Sequence, residues 1–396
     1  MVQALGVRMS TAKKKTGTKT LKGAKSGHDG RQLFSILEEG GHVAKGKDPK
    51  IPKDELIRLY RAMITTRIME ERALNLQRQG RIGFYVPCKG QEASHIGTAY
   101  ALKDSDWVFP AYRQPGIMIL RGAPMQQIVD EWYGNEGDIC KGRQMPVHYS
   151  FRQIHFVSIS SPIGTQMTQA VGAGMAAKYR KEDTVFMTYC GDGGTSENDF
   201  HCSLNFGGVY KAPVVFVVEN NQWAISTPLE TQTASETLAS KAEAYGIPGV
   251  RVDGNDILAI YQVTKEAVDR ARRGGGPTLI ETLTYRVGPH SSSDDPSRYR
   301  DDAEVQSWMD KDPIERLKAY LKKKRWWSQE MEDEIRETAR SEINAAIRNA
   351  EEKKPPSISS MFEDVYLEKT TQLVEQEDYL KSFGDNEANQ IGEFPL

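Results

Sequence analysis

The chain has 396 residues, of which 38% are hydrophobic and 27% are charged, and its formal net charge is −2. This composition is typical of a soluble globular protein with a sizeable core, and it argues against disorder over most of the length. The near-neutral charge predicts no nucleic-acid partner. No apolar run approaches the roughly 20 residues of a membrane span, so no membrane partner is expected either.

The start of the chain forms a basic arm whose lysines stand among small polar residues. They are Lys13, Lys14, Lys15, Lys19, Lys22 and Lys25. A transit peptide is expected to be Arg-rich and amphipathic, so this segment is interpreted as a flexible solvated arm, with docking to an acidic partner as the alternative. The four cysteines are far apart and form no CxxC pair, which fits a reducing compartment, and the cytoplasm is the expected location.

Ordered structure is expected to begin near Pro52. Asp54 can cap a helix whose apolar residues follow helical spacing as far as Gly80. A glycine-punctuated loop follows at 81–92, and further helices are predicted over 92–102 and 124–134. Between these two helices, DWVFPAYRQPG is interpreted as a short strand followed by a turn.

Beyond residue 141 an extended loop precedes an alternation of helices and strands. The loop 141–164 enters a short strand, and a helix rich in Gly and Ala follows over 165–179. Strands are then predicted at 184–189, 213–219 and 278–287, and helices at 195–210, 256–273, 303–325 and 328–352. Continuous Val, Ile and Phe runs separated by helices predict an α/β fold with a parallel sheet covered on both faces.

These elements divide the chain into three parts. Residues 1–50 are the basic arm and a lead-in, residues 51–300 are one α/β domain, and residues 301–396 are a helical extension that ends in an acidic tail. Ligands of open parallel sheets bind beyond the carboxyl ends of the strands. We therefore expect the functional residues at the strand ends of the α/β domain.

Two strands of this domain end in groups that suit a hard cation. The first is followed by Asp192, Gly193 and Gly194, and the second by Asn221. A carboxylate, an amide oxygen and a nearby main-chain carbonyl suit magnesium that also receives phosphate oxygens. Glycines beside Asp192 let backbone N–H groups approach a phosphate, and a helix that starts near Thr195 would direct its positive end there.

Either pattern alone is a common turn or strand end. The pair at successive strand ends, with 26 residues between Gly193 and Asn220, is much more specific. At this distance, GDG…NN resembles the cofactor signature of thiamine diphosphate enzymes. Further blocks resemble the alpha subunits of the decarboxylase component of branched-chain 2-oxo acid dehydrogenases. They are AYRQPG, KGRQMPVHY, SISSPIGTQ, GDGGTSENDFHCSLNF, ENNQWAIST, YGIPGVRVDGND and RVGPHSSSDDPSRYR, within roughly residues 50–365.

The resemblance implies a three-layer thiamine diphosphate-binding fold and a set of cofactor residues. Asp192, Asn221 and the main-chain carbonyl of Trp223 are implied as Mg²⁺ ligands, although many relatives have Glu and Tyr at the first and last of these positions. The implied contacts of the cofactor are Tyr112, Arg113, Ser161, Ile163, Asp192, Gly193, Gly194, Asn221 and His290. His290 is expected to charge readily beside the diphosphate. In some relatives the positions of Ser160, Pro162, Thr165 and Gln166 bind a monovalent cation.

The resemblance also implies a substrate pocket and a regulatory serine. Phe84, Tyr85, Tyr112, Met145 and His148 match positions that line the acyl pocket, and His148 and His290 are the catalytic candidates. Outside this family His148 would more often be a loop histidine and Met145 a core residue. Some relatives are phosphorylated at the position of Ser291. Three serines beside two aspartates more often form a mobile polar loop.

The implied activity is oxidative decarboxylation of a branched-chain 2-oxo acid, with acyl transfer to the lipoyl group of a partner acyltransferase. The chain has no separate domain to supply the carboxylate that activates the cofactor. The resemblance implies that a beta subunit supplies it in an α2β2 heterotetramer. Glu92 and Glu197 are the internal alternatives, but they are interpreted as a helix-start residue and a first-turn acid.

Other functions stay open. A pyruvate dehydrogenase alpha subunit shares GDGGTS and the NN block. GRQMPVHY, with Met145 and His148, favours branched-chain substrates. An Mg²⁺-dependent phosphohydrolase that uses Asp192 is a remote alternative, since such enzymes usually place more carboxylates around the metal. A catalytically dead scaffold is disfavoured, because Arg113, Asp192, Asn221 and His290 are all present.

Overall fold

The structure is a computed structural model that describes residues 30–43 and 46–383. The predicted basic arm at Lys13–Lys25 lies outside the described residues, as does the end of the acidic tail. None of the helices in the described ranges is long and apolar enough to cross a membrane.

The centre of the described chain is a parallel sheet. Its strands are Leu33–Phe34 (β1), Trp107–Phe109 (β2), Phe186–Gly191 (β3), Val214–Asn220 (β4), Gly249–Asp253 (β7) and Thr278–Leu283 (β8), in the order β1-β7-β8-β4-β3-β2. A separate antiparallel pair consists of Trp223–Ala224 (β5) and Thr227–Pro228 (β6).

Helices surround the sheet and extend beyond it. They are Lys53–Arg78 (α1), Glu92–Tyr100 (α2), Pro115–Leu120 (α3), Met125–Tyr133 (α4), Thr165–Arg180 (α5), Asn198–Tyr210 (α6), Leu229–Gln232 (α7), Ile257–Arg272 (α8), Asp302–Met309 (α9), Pro313–Lys323 (α10), Gln329–Glu351 (α11) and Thr371–Lys381 (α12). Short 3₁₀ turns occupy Arg152–Ile154, Gly193–Ser196, Ala239–Tyr245, Pro296–Arg298 and Ile358–Phe362.

The central strands β3, β4 and β8 are buried on both faces, and successive side chains enter two different cores. Met187 and Tyr189 of β3 join the core formed with α1, α2, α8, α10 and α11. Phe186 and Cys190 of the same strand join the core formed with α5, α6 and the 239–245 turn. This alternation follows from the two-residue period of a strand. The predicted three-layer α/β architecture with a central parallel sheet is therefore confirmed.

Ordered structure begins earlier than expected. Leu33 and Phe34 pair in parallel with Arg251 and Val252, so the lead-in supplies an edge strand. Asp256 holds the next turn by accepting the backbone N–H groups of Ile36 and Leu37, both at 2.6 Å. Two residues are too short a strand for the hydrophobic pattern to reveal. The division at residues 50 and 300 otherwise stays a prediction.

Several element boundaries also differ from the sequence prediction. The helix predicted over 303–325 is two helices, because Asp312 caps α10 by accepting the backbone N–H groups of Ile314 and Glu315. The strand predicted over 278–287 ends at Leu283. The strand expected in 141–164 is reduced to isolated bridges at Phe151 and Phe156. Helices α3 and α12 and strand β7 were not predicted.

Candidate active site

The ends of β3 and β4 bring Asp192 and Asn221 to the same sheet edge. Gly191 is in register with Glu219, so the residues that follow both strands emerge side by side. Asp192 and Asn221 are both buried. Burial raises the pKa of Asp192 to about 6, although backbone N–H groups, including that of Asn221, act to lower it. The two residues are therefore neighbours, as the sequence predicted.

One oxygen of the Asp192 carboxylate lacks a hydrogen-bond partner. The Oδ2 atom is buried and makes no hydrogen bond. Asn221 Oδ1 accepts only a long bond of 3.3 Å from the backbone N–H of Trp223, and the Trp223 carbonyl accepts from Arg286 Nη1 at 3.1 Å. A buried anionic oxygen without a partner is costly unless a cation or donor meets it. This set of oxygens fits Mg²⁺.

Within the described ranges, no group of three or more His, Cys, Asp and Glu residues could hold a metal by itself. A site here would have one carboxylate, and its other oxygens would come from an amide, the backbone and an anionic ligand. That chemistry fits a metal–diphosphate pair. It does not fit a phosphohydrolase, which surrounds its metal with several carboxylates.

The turn after Asp192 differs from the prediction. Gly193–Ser196 form a 3₁₀ turn, and helix α6 begins only at Asn198, with Glu197 as its N-cap. The helix expected from Thr195 therefore starts three residues later. A Cβ atom on Gly193 would lie 2.6 Å from Ala224 Cβ, so only glycine fits where the two strand-end loops meet.

These strand ends form the floor of a cavity of about 470 Å³, a size within the usual range of ligand sites. Most of the predicted site residues line it. They are Phe84, Tyr112, Arg113, Met145, His148, Ser160, Ser161, Pro162, Ile163, Gln166, Asp192, Gly193, Gly194, Asn221, Trp223 and His290. Segments far apart in the sequence thus converge on one place.

Tyr85 does not line this cavity, contrary to the prediction. Its side chain is buried in the core, where its ring meets Trp132 edge-on at 5.7 Å between centroids. Phe84 beside it faces the cavity. Thr165 is also absent from the lining, because it begins α5 and its carbonyl accepts the Thr168 hydroxyl at 2.8 Å. Sequence matching finds such positions but not the direction of each side chain.

Arg113 and His290 form a basic pair on one wall. Arg113 Nη2 donates to the His290 carbonyl at 3.0 Å and lies 3.2 Å from His290 Nδ1. Since a guanidinium can only donate, Nδ1 must be an acceptor and the imidazole proton must be on Nε2. Burial, together with Arg113 and Arg286, lowers the pKa of His290 to about 3. Without a dianion in the cavity the His290 imidazole is therefore neutral at pH 7, and its charging beside the diphosphate stays a prediction.

The loop that carries His290 is held by its own side chains. Asp294 accepts the His290 backbone N–H at 2.6 Å and the Tyr299 hydroxyl at 2.5 Å. Arg300 donates to the carbonyls of Val287 and Gly288 at 2.9 and 3.1 Å. Ser291 lies within this loop and is buried. The expectation of a mobile polar loop does not match these contacts.

His148 also lines the cavity, and its contacts define its tautomer. Its Nδ1 atom is 3.2 Å from the Pro146 carbonyl, and its Nε2 atom is 2.7 Å from Ser161 Oγ. A carbonyl can only accept, so Nδ1 carries the proton and Nε2 accepts from the Ser161 hydroxyl. Met145 and Ile163 stand at the mouth of the cavity and are 53% and 42% exposed.

The two glutamates considered as internal bases have different positions. Glu92 begins α2 as predicted, is fully buried, pairs with Arg67 and accepts the Gly90 backbone N–H at 3.0 Å. It does not line the cavity. Glu197 does line the cavity, as the N-cap of α6 and not as a first-turn acid.

One lining carboxylate was missed. Glu219 is the residue before the last in β4, and it accepts from Gln114 Nε2 at 2.6 Å and from Ser94 Oγ at 2.8 Å. Burial acts to raise its pKa, but His95 and these donors lower the pKa overall. Its place directly before Asn220 and Asn221 was the available signal.

Comparison with known proteins agrees with this geometry. The family model described as the dehydrogenase E1 component matches residues 60–359, so the chain belongs to that family. Within it, the chain is similar to proteins named 2-oxoisovalerate dehydrogenase subunit alpha. It is 41% identical to the Homo sapiens protein over 363 residues, which cover 90% of this chain and 82% of the relative. It is 43% identical to the Arabidopsis thaliana alpha 1 protein over 351 residues, covering 88% and 74%. The Dictyostelium discoideum protein is 42% identical over 370 residues, covering 92% and 82%.

These similarities confirm the predicted resemblance to branched-chain 2-oxo acid dehydrogenase alpha subunits, and with it the class of oxidoreductase component. They contradict the cytoplasmic location, because the same relatives carry the word mitochondrial in their names. The prediction was wrong because it was based on the composition of a short lysine-rich segment, and that composition does not determine where the protein is located.

Proposed function

We propose that this chain is the alpha subunit of a heterotetrameric decarboxylase that binds thiamine diphosphate through Mg²⁺ and acts on branched-chain 2-oxo acids. The acyl group would pass to the lipoyl group of a partner acyltransferase. The observation that carries the proposal is the buried Asp192 carboxylate, whose Oδ2 atom has no hydrogen-bond partner and which lies beside Asn221 in a cavity that also contains Arg113 and His290. Family membership gives this geometry its chemical context.

In this proposal the side chains of Asp192 and Asn221 and the Trp223 carbonyl hold the metal. Arg113, the Nε2–H of His290 and the N–H groups of Gly193 and Gly194 are donors for the diphosphate, and a neutral imidazole can fill this role without charging. Tyr112, Ser161 and Ile163 line the rest of the cofactor site. When bound, thiamine diphosphate supplies the carbon nucleophile and the electron sink that decarboxylation requires.

The chain's own residues would orient the 2-oxo acid and exclude water. Phe84 and Met145 provide apolar walls for a branched aliphatic chain. His148, held by Pro146 and Ser161, would address the substrate carboxylate or carbonyl. Gln166 donates to the Tyr189 carbonyl at 2.6 Å, while its Oε1 atom is buried without a partner. That free oxygen supports a monovalent-cation site with Ser160, Pro162 and Thr165.

The open mouth of the cavity supports a site shared with a beta subunit. Met145, Ile163 and Ile225 are large apolar residues of the lining that are 53%, 42% and 57% exposed. Such exposure beside a catalytic cavity is costly in water and indicates a surface that a partner covers. The beta subunit would also supply the carboxylate that activates the cofactor, as the resemblance to the family implies. Glu92 does not line the cavity, and Glu197, which does, serves as the N-cap of α6.

Turnover with and without the beta subunit tests the proposal. We expect the lone chain to be nearly inactive, and the reconstituted enzyme to show a kcat/KM at least about tenfold higher for 2-oxoisovalerate than for pyruvate. A preference for pyruvate would indicate the alternative substrate class. Robust activity of the lone chain would refute the shared site. The phosphorylation of Ser291 stays a proposal. It would place a dianion beside His290 and repel the diphosphate.

A further inference from the structure

A buried carboxylate holds the backbone directly behind His148. Glu131 lies on α4 and is almost completely buried. One carboxylate oxygen accepts the Val147 backbone N–H at 2.9 Å, and the other accepts the His148 backbone N–H at 2.9 Å. The two oxygens thus bind two successive residues, of which His148 lines the cavity.

The first of these residues has an unfavourable backbone conformation. Val147 has φ 69°, in the left-handed region, where a β-branched side chain clashes with its own backbone. Its side chain is buried in the core and its backbone N–H is bound by Glu131, so these two contacts together fix the conformation. Such strain persists only where the surroundings impose it, and it collects at functional sites.

We infer that Glu131 is a positioning residue that keeps Val147 in this conformation and thereby aims the His148 imidazole into the cavity. The consequence of the placement is the 2.7 Å contact between His148 Nε2 and Ser161 Oγ. The inference rests on the proposed function, in which His148 meets the 2-oxo acid. Glu131 itself does not line the cavity.

Within the described residues, the Glu131 side chain makes no further hydrogen bond that would explain why a carboxylate is buried here. Its neighbour Asp130 is equally buried but accepts from Lys353 at 2.5 Å and from Asn135 at 3.1 Å, and so ties α4 to the C-terminal segment. No ion pair of Glu131 occurs among residues 30–43 and 46–383. A buried carboxylate that serves only two backbone N–H groups costs stability, which points to a role in geometry.

Matched alanine variants test the inference in the reconstituted enzyme. Glu131→Ala should lower kcat/KM for 2-oxoisovalerate at least about tenfold, while thiamine diphosphate affinity changes less than about twofold. Glu131→Gln keeps one acceptor and should fall between the wild type and Glu131→Ala. Asp130→Ala should lower the melting temperature as much as Glu131→Ala but leave kcat/KM within about threefold of the wild type.

A second substitution tests the role of strain. Glycine adopts positive φ at no steric cost, so Val147→Gly should recover at least about threefold of the kcat/KM lost in Glu131→Ala. No recovery would overturn the inference, as would unchanged kcat/KM in Glu131→Ala or an equal loss in Asp130→Ala.

Hydrogen exchange separates this inference from the proposed function. The Val147 amide should exchange at least about tenfold faster in Glu131→Ala than in the wild type, whatever the enzyme catalyses. The His148 amide should change less, because its N–H also donates to the Met145 carbonyl at 3.2 Å. Unchanged exchange would overturn the inference even in an active enzyme. Failure of the wild type to act on 2-oxo acids would instead refute the proposed function.

Discussion

Replacing Asp192 with asparagine should change how the stability of the cofactor-free chain depends on pH. Burial raises the pKa of this carboxyl from 3.8 to about 6. At about 1.36 kcal/mol per pKa unit, this rise corresponds to about 3 kcal/mol. As pH increases, the unfolded chain loses its proton first, so this residue destabilises the folded state progressively between about pH 4 and pH 6, and the deficit is constant above that.

Chemical denaturation of both proteins across this pH range measures the effect. The free energy of unfolding of the wild type, relative to Asp192→Asn, should fall by about 2.4 kcal/mol from about pH 4 to pH 7, because the unfolded carboxyl is already partly ionised at pH 4. Any cost of an unpaired asparagine amide is independent of pH, so it does not alter this change. Saturating Mg²⁺ and thiamine diphosphate should remove the wild type's deficit, since the cation stabilises the ionised carboxylate. Parallel pH profiles for the two proteins would refute the reasoning.

Three further substitutions separate cofactor, substrate and structural roles. His290→Ala should weaken thiamine diphosphate binding roughly 10- to 100-fold, because a hydrogen bond to a charged group is worth about 1.5–3 kcal/mol, and its melting temperature should stay close to that of the wild type. Equal affinity by calorimetry would contradict this. Met145→Ala should raise KM for 2-oxoisovalerate about fivefold, because about 1 kcal/mol of apolar contact with the branched chain is lost, and it should raise KM for pyruvate much less. Equal effects on both substrates would show that Met145 does not line the acyl pocket. Glu92→Gln should lower the free energy of unfolding by about 3 kcal/mol, because it breaks the buried ion pair with Arg67, and it should leave cofactor affinity unchanged. A catalytic defect without destabilisation would support Glu92 as the internal base instead.

The regular part of the fold was predictable because its signals are local. The apolar runs of β3 and β4 and the spacing between their ends give the parallel sheet and place Asp192 beside Asn221. The two-residue strand at Leu33 has no such periodicity. The break before Pro313 depends on Asp312, which caps α10. In the sequence, Asp312 looks like one more charged residue of a continuous helical pattern.

The candidate site was predictable as a set of positions but not as a set of orientations. Phe84 and Tyr85 are both aromatic neighbours in a loop, and only the packing of Tyr85 against Trp132 sends its ring into the core. The lowered pKa of His290 depends on burial, Arg113 and Arg286, which come together only in the folded chain. Glu131 was missed because a buried glutamate on an ordinary helix has no sequence signature.

Calorimetric titration of thiamine diphosphate, with and without Mg²⁺, tests most directly whether Asp192 and Asn221 bind the same metal ion. The reconstituted wild-type enzyme should bind the cofactor only when the metal is present, and Asp192→Asn and Asn221→Ala should each abolish that metal-dependent binding while keeping the wild-type circular dichroism spectrum. Undiminished, metal-dependent affinity in either variant would contradict the account.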